Sequence, residues 1–297
     1  MLGAGVAVLM ATPPRGAPAS ASGGRAAPGA IAFKCGDWLC LGRPDGSGTR
    51  RLLSVRLRYP FPQWEPAFSP DGTHLAFRGY FGSSEGDYAL YVARTDGCSP
   101  RRLTQGASNP SWSPDGAWIA FDTSGGGPLR KIHPDGTGLT RIDTGLPGDH
   151  DISPAWSPDS ASIAFVHEDR LDRGEIWVVR AHGRAALLRK DAGSSDASPA
   201  WSPDGKRIAF VVQTGQRARI DVMNADGSHV HALVKDFYDT WNPVWVPRFS
   251  AIAYLSGIIG GTGAIRTIAS GRSPRRIALP PSPQFAWTAT ALTPRRC

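Results

Sequence analysis

The most suggestive chemical motif in the chain is Gly82-Ser-Ser84-Glu-Gly86, which has the G-x-S-x-G spelling of a hydrolase nucleophile elbow. That elbow needs a strand-turn-helix context, which exposes the serine beside an oxyanion hole. Here a β-rich run from Tyr88 to Val92 follows the motif, so it is expected in a loop between two strands. With 35 Gly in the chain, a chance match is expected. We therefore predict that Ser84 is not a nucleophile and that the chain is not an enzyme.

Other motifs that bind metals or cofactors are not found in the sequence. It contains no phosphate-binding loop, H-E-x-x-H helix or EF-hand pattern, and its four Cys have no zinc-site spacing. A hairpin could bring Cys35 and Cys40 together as a disulfide, although two buried thiols that never meet fit the spacing as well. Cys98 and Cys297 have no partner nearby in the sequence. We expect no cofactor and no metal.

Acidic residues and histidines gather in loops near the middle of the chain, and two aromatic residues follow later. Such carboxylates could bind a basic, partly apolar peptide or a divalent cation. The plain alternative is a set of solvated loops, partly neutralised by Arg170 and Arg173. We predict a partner-binding surface, whose candidate residues are Asp149, His150, Asp151, His167, Glu168, Asp169, Asp196, Tyr238 and Trp241.

The tryptophans fall into two groups. One group occupies a single repeated position and is predicted to be core, because packing explains a residue fixed in every repeat better than five ligand sites do. Its members are Trp112, Trp156, Trp201, Trp245 and Trp287. Trp64 and Trp241 lie in the segments that lead into two of the repeats and are candidates for ligand contact.

Composition and charge restrict the class of protein. With 35 Gly and 26 Pro the chain has too many helix breakers for a helical protein, whereas 41% hydrophobic and 20% charged residues exclude a fibre and wholesale disorder. No run of 18 apolar residues occurs, so we expect no transmembrane helix in the mature chain. The net charge of +8 would suit nucleic acid, but the arginines are spread through the repeats, where they protect strand edges. We expect no nucleic-acid partner.

Residues 1–30 differ in composition from the rest. The apolar run at residues 2–11 has the length of a signal-peptide core, and Ala19-Ser-Ala21 is a small-x-small cleavage pattern, although the usual basic start is missing. A disordered tail is the alternative. We therefore treat 1–30 as a signal-peptide-like or disordered segment and 31–297 as the folded domain, in a secreted, periplasmic or cell-envelope location.

Internal repetition is the strongest signal in the sequence. The segment PAFSPDGTHLAF at Pro66 recurs as PSWSPDGAWIAF at Pro110, PAWSPDSASIAF at Pro154, PAWSPDGKRIAF at Pro199 and PVWVPRFSAIAY at Pro243. The copies start 44 or 45 residues apart. Each reads as strand, Ser-Pro-Asp-Gly turn and strand, and a second hairpin with an Asp-Gly turn follows in most repeats. Four antiparallel strands in about 40 to 45 residues match one propeller blade.

The two ends of the chain suggest how the ring closes. The Ile-Ala-Phe half of the repeat occurs six times from Ile31 onward, but the Pro-x-Trp half is missing before Ile31. A worn copy, Phe285-Ala-Trp287-Thr288, lies near the C-terminus. We predict an all-β fold, a single six-bladed propeller of four-stranded antiparallel blades, in which the C-terminal strand completes the first blade.

The repeated motif resembles that of the TolB family, a WD-repeat-like β-propeller that also occurs in prolyl-oligopeptidase-type peptidases. The resemblance covers residues 31–288. We expect neither the α/β domain of TolB nor a hydrolase domain, because the repeats occupy most of these residues. The resemblance implies an envelope or exported location and a binding role.

Taken together, the sequence predicts a non-catalytic exported scaffold, expected to be a monomer, whose loop face binds a protein or peptide of the cell envelope. The alternative is an enzyme or carbohydrate-binding protein that uses the mouth of the channel, because propellers support both kinds of function.

Overall fold

The computed structural model describes residues 9–10, 31–35, 38–42, 50–51, 66–80, 88–96, 98–123, 126–148, 150–169, 171, 173–180, 183–234, 239–246, 251–257, 264–269 and 275–276. The regular structure of these residues consists of β-strands, which form six four-stranded antiparallel sheets. Five sheets are built on the sequence repeat and are called blades A to E. The sixth is called the N-terminal sheet.

The strands are as follows in chain order. The N-terminal sheet contains β1 (Leu9–Met10), β2 (Ile31–Cys35), β3 (Trp38–Gly42) and β4 (Arg50–Arg51). Blade A contains β5 (Ala67–Phe68), β6 (His74–Tyr80), β7 (Tyr88–Arg94) and β8 (Arg101–Gln105). Blade B contains β9 (Ala107–Trp112), β10 (Ile119–Thr123), β11 (Arg130–Ile132) and β12 (Thr140–Arg141). Blade C contains β13 (Asp151–Trp156), β14 (Ser162–Glu168), β15 (Gly174–Arg180) and β16 (Ala186–Arg189). Blade D contains β17 (Ser195–Trp201), β18 (Arg207–Thr214), β19 (Arg217–Asn224) and β20 (His231–Val234). Blade E contains β21 (Asp239–Val246), β22 (Ala251–Gly257), β23 (Ala264–Ala269) and β24 (Arg275–Arg276).

The Ser-Pro-Asp-Gly motif folds as a self-contained turn between the first two strands of a blade. In blade D the Ser202 hydroxyl donates to Asp204 Oδ1 at 2.6 Å and accepts from the backbone N–H of Arg207 at 2.9 Å. Gly205 has a φ of 70°, a backbone conformation that residues with a Cβ rarely adopt. The hydrogen bond from Ser202 holds the pKa of Asp204 below its ordinary value. The motif therefore builds the turn, and the Asp204 carboxylate takes part in the hydrogen bonds of that turn.

A β-bulge interrupts the first strand of four blades immediately before its proline. The pre-proline residues have φ near 50° and are Asn109, Ser153, Ser198 and Asn242. The strand register shifts at each of these places. Proline has no N–H to give to the ladder, so an extra residue in a left-handed conformation restores the pairing beyond it.

The apolar core lies between neighbouring blades. One cluster joins Ile176 of blade C to Phe210 and Met223 of blade D, and all three side chains are buried. The aromatic ring of the Ile-Ala-Phe segment is fully buried in every blade, at Phe77, Phe121, Phe165, Phe210 and Tyr254. Each blade therefore covers the apolar face of the next.

The repeated tryptophans also link successive blades. Trp201 Nε1 donates to the carbonyl oxygen of Ala155 at 3.2 Å, and Trp245 Nε1 donates to that of Ala200 at 3.0 Å. Trp112 and Trp156 pack on the same kind of interblade cluster. This is the packing role that their fixed repeat position predicts. Trp64 and Trp287 lie outside the described residues.

The prediction of a single six-bladed propeller, closed by the C-terminal strand, is wrong, because the structure has five blades, A to E, beside the N-terminal sheet. These five blades carry the repeat. The first strand of the N-terminal sheet comes from the N-terminal end of the chain, whereas the sequence predicted that the C-terminal end would supply it. It is β1, which pairs with β2 through Leu9 opposite Ala32 and Met10 opposite Ile31. Strand β1 also lies beside β5 and β21. The prediction failed because the first strand of this sheet carries no trace of the repeated motif. The worn repeat at 285–288 lies outside the described residues.

The cysteines are only partly described. In the N-terminal sheet the register sets Cys35 opposite Trp38 and Cys40 opposite Phe33. Their side chains lie outside the described residues, so the Cys35–Cys40 disulfide stays a prediction. Cys98, for which the sequence offered no local partner, is disulfide-bonded.

Candidate functional site

The predicted partner-binding residues that the structure describes lie at one edge of the propeller, here called the loop face, where each first strand begins and the second and third strands are joined. Asp151 begins β13, and Asp196 is the second residue of β17. Both stand three residues before the proline of their repeat and occupy the same place in blades C and D. Asp149 and Tyr238 lie outside the described residues.

Asp151 and His167 form a buried pair between β13 and β14. The strand register sets them directly opposite each other, and His167 Nδ1 lies 2.8 Å from Asp151 Oδ1. Since a carboxylate can only accept, Nδ1 is the donor. The hydroxyl of Thr144 donates to Asp151 Oδ2 at 2.9 Å. Only 1% of the Asp151 side chain is exposed, so both of its oxygens are committed to structure.

A second chain of contacts continues from His167 along the third strand of blade C. The His167 ring meets Trp177 edge-on, with ring centroids 6.1 Å apart. Trp177 Nε1 donates to Glu175 Oε2 at 3.1 Å, and Lys190 Nζ forms an ion pair with the other carboxylate oxygen of Glu175. Glu175 is therefore neutralised within its own blade.

Asp196 is buried at the seam between blades C and D. Arg189 Nε lies 3.0 Å from Asp196 Oδ2, and Arg189 Nη2 reaches Asp191 Oδ2 at 3.1 Å. Burial raises the pKa of Asp196 to about 6, although the Arg189 guanidinium opposes this shift. The charge pattern predicts that the arginines of the repeats protect strand edges, but Arg189 bridges two carboxylates.

Asp169 holds the described residues between β14 and β15 together through hydrogen bonds. Its Oδ1 accepts the backbone N–H of Leu171 at 2.8 Å and that of Arg173 at 3.1 Å. The Arg173 guanidinium makes two bonds to Asp169 Oδ2, at 2.7 and 3.0 Å, and holds the pKa of Asp169 at about 2. The neutralisation by Arg173 that the sequence suggested is therefore present. Leu171 stands at the tip of this loop with 71% of its surface exposed.

The accessible part of the loop face differs from the predicted acidic surface. Asp151 and Asp196 are buried, whereas His150 and Asp191 are exposed and Glu168 is half-buried. Trp241, in β21, is half-buried too. Sequence reasoning missed Leu171, because an isolated leucine in a polar loop carries no motif. The only sequence feature that could have indicated it is an apolar residue between two charged residues.

Three other sequence-based expectations concern metal binding, the G-x-S-x-G serine and membrane helices. In the part of the chain that the structure describes, no group of three or more His, Cys, Asp or Glu residues is arranged to hold a metal ion. The G-x-S-x-G segment at 82–86 lies outside the described residues, so its assignment as a chance match stays a prediction. No helix among the described residues has the length and apolar character needed to span a bilayer.

Solved structures with this architecture include two proteins of different kinds. TolB from Acinetobacter baumannii superposes with a TM-score of 0.64 at 22% identity, over 78% of this chain and 57% of that one. Oligogalacturonate lyase from Vibrio parahaemolyticus superposes with a TM-score of 0.56 at 13% identity, over 82% of this chain and 75% of that one. At these identities the likeness shows a shared fold.

Sequence comparison gives a narrower result. The uncharacterized protein Atu1656 of Agrobacterium fabrum is 32% identical over 111 residues, which are 36% of this chain and 36% of that protein. The uncharacterized peptidase YuxL of Bacillus subtilis is 45% identical over 64 residues, 20% of this chain and 9% of that protein. The chain thus matches about a third or less of the length of either relative. The model of the TolB beta propeller domain matches residues 133–286, just over half of the chain. With four-stranded blades, the Ser-Pro-Asp-Gly turns and this match in agreement, the chain belongs to the TolB β-propeller domain family.

Proposed function

We propose that this chain is a non-catalytic scaffold, exported or associated with the cell envelope, that binds a protein or peptide partner through its loop face. The observation that supports this most directly is Leu171, an apolar side chain with 71% of its surface exposed on a loop that Asp169 and Arg173 hold in place. A fixed loop loses little conformational entropy on binding, which makes an exposed apolar anchor effective. Loops on a rigid ring are also the usual place for recognition.

The rest of the proposed surface surrounds this anchor with polar groups. His150 and Asp191 are exposed, and Glu168 is half-buried at the end of β14. Trp241 would add an aromatic contact two blades away. The proposed partner is therefore a partly apolar segment with basic groups, which the carboxylates would attract.

A disulfide and an N-terminal sequence pattern support the exported location in this proposal. The disulfide at Cys98 suits an oxidising compartment outside the cytoplasm, and the apolar run before Ala19-Ser-Ala21 suits export. One observation favours a hydrolase as the alternative: the Asp151–His167 pair has the geometry of the orienting acid and base of a triad. Labelling of the protein by a fluorophosphonate probe would favour that alternative.

The binding proposal predicts that Leu171→Asp abolishes partner capture. The purified chain would be immobilised and exposed to an envelope extract, and the retained proteins would be identified by mass spectrometry. Leu139→Asp is the matched control, because Leu139 is 45% exposed but lies beside the outer strand of blade B. We expect proteins that the wild type and Leu139→Asp retain and Leu171→Asp loses. Equal retention by all three would place the partner surface elsewhere, and no specific retention would contradict a scaffold role.

A further inference from the structure

A cleft of 520 Å³ lies on the opposite edge of the propeller, here called the turn face, between blades A and B. Its volume falls within the roughly 300–1,000 Å³ range of small-molecule sites. The lining comes from the start of β6, the ends of β7 and β9, the start of β8 and the turn after β11. The cleft is independent of the loop-face surface.

The ionisable groups that line the cleft are all basic. Arg94, Arg101 and His74 contribute to its wall, and no carboxylate is among the described residues that do. Arg94 is paired with Asp96 at 2.7 Å. Arg101 has no carboxylate within ion-pair distance in the described part of the chain and bonds instead to the backbone carbonyls of Pro134 and Asp135 in blade B. The Asp135 carboxylate itself bonds to Thr137.

Arg101 is thereby held in one orientation with donors to spare. A guanidinium has five N–H donors, and the two carbonyls from blade B occupy only part of that set. A charged donor that is already positioned binds an anion without a further ordering cost. The apolar part of the cleft lining comes from Val92, Pro100, Trp112 and Pro134.

The side chain at the place of His74 varies in size between the blades, being small in blades C and E, with Ser162 and Ala251, and large in blades B and D. His74 stands five residues after the turn serine of blade A, and Trp118 and Arg207 hold the same place in blades B and D. Trp118 stacks on His133 with centroids 3.7 Å apart. Arg207 lies 4.7 Å above the ring of Trp245, which is the repeat equivalent of Trp112. His74 is smaller than either residue, and the space next to Trp112 remains open.

The repeated tryptophans are held in two ways, and Trp112 resembles Trp156, whose indole N–H also has no acceptor among the described residues. Trp201 and Trp245 donate their indole N–H to a carbonyl of the preceding blade, whereas Trp112 Nε1 has no acceptor among the described residues. Its ring is held by packing against the blade A–B cluster. We propose that the cleft between blades A and B binds a planar organic anion, an aromatic carboxylate, with its ring against Trp112 and its carboxylate on Arg101.

The test uses 2-naphthoate as the probe and its neutral carboxamide as the matched ligand, with binding measured by titration calorimetry on the full chain. We expect naphthoate to bind and the carboxamide to bind at least ~10-fold more weakly, since the charge-assisted contact to Arg101 is lost. Arg101→Gln should weaken naphthoate binding by about the same factor. Arg141→Gln, at another exposed arginine of an outer strand, should leave it unchanged.

A second variant tests the cleft without removing a charge. His74→Trp copies the residue that the next repeat uses at this place, so it should keep the fold and abolish naphthoate binding. This variant decides the matter even if Arg101→Gln fails to fold. The proposal is overturned if naphthoate does not bind the wild type up to its solubility limit, if the carboxamide binds equally well, or if His74→Trp binds naphthoate like the wild type.

Discussion

At the scale of single residues, the acids of the loop face serve two different purposes. Asp151, Glu175 and Asp196 are buried and each is matched with a basic group of blade C. Asp169 organises a loop at the surface. A buried carboxylate costs free energy unless it is paired, which explains why each of the three buried acids lies next to a basic group. Mutating them would report on folding before it reported on binding.

The raised pKa of Asp196 predicts a specific pH dependence of stability. Its ordinary value is 3.8 and its value in the fold is about 6, so the folded protein binds more protons than the unfolded chain between these values. Its contribution to stability is therefore full below pH 4 and is lost as the pH rises through 6, by up to about 3 kcal/mol. Asp196→Asn should remove this decline, as measured by urea unfolding between pH 4 and 7.

Asp204→Asn is the control for this measurement. The pKa of Asp204 is lowered by its bond to Ser202, so its contribution is lost only as the pH falls below its ordinary range. The variant should leave the slope between pH 4 and 6 unchanged. A slope that survives Asp196→Asn would mean that another group titrates in this window.

At the scale of the strand and the blade, the sequence predicted most of what is local. The Ser-Pro-Asp-Gly turn is decided within six residues, since Ser202 bonds to both Asp204 and Arg207, and so its repeats predicted the hairpins correctly. The pairing of Arg189 with Asp196 was not predictable in this way. It depends on how the last strand of blade C meets the first strand of blade D, and no local pattern encodes that approach.

Gly174 lies at a close approach between these two blades. A Cβ at this position would lie 2.1 Å from the backbone oxygen of Asp196 and 2.8 Å from a methyl group of Val166. Gly174→Ala should therefore force blades C and D apart and lower the free energy of unfolding by about 1–3 kcal/mol. Thermal and urea unfolding would measure the loss.

Gly183→Ala is the matched control, because its Cβ would meet no atom closer than 3.8 Å. It should remain within about ±0.5 kcal/mol of the wild type. If both variants were equally stable, the seam between blades C and D would be more open than described here.

At the scale of the whole molecule, the closure of the sheet arrangement was the part that the sequence misassigned. The repeat predicted each blade, but β1 has only two residues and no repeat motif. It was hidden in a run that also fits a signal-peptide core. Short apolar segments suit either use, because both require little more than a few consecutive apolar side chains.

Removing residues 1–21 should therefore destabilise the protein by more than a typical point substitution of ~1 kcal/mol. The deletion removes β1 together with its pairing to Ala32 and Ile31. A chain that starts at residue 6 retains β1 and is the control. Thermal unfolding of both, measured against the full chain, would test the role of β1, and identical melting of all three would show that β1 contributes nothing.

Residues 9 and 10 can either complete the N-terminal sheet as β1 or be removed by proteolytic maturation. Leu9 and Met10 precede the Ala19-Ser-Ala21 pattern, so a protease that cut there would release the strand that lies between β21 and β5. The mature form would then present the backbone of Ile31 and Ala32 as an unpaired edge. Whether the first 21 residues are retained thus decides whether β2 is paired along this edge or exposed as an edge strand.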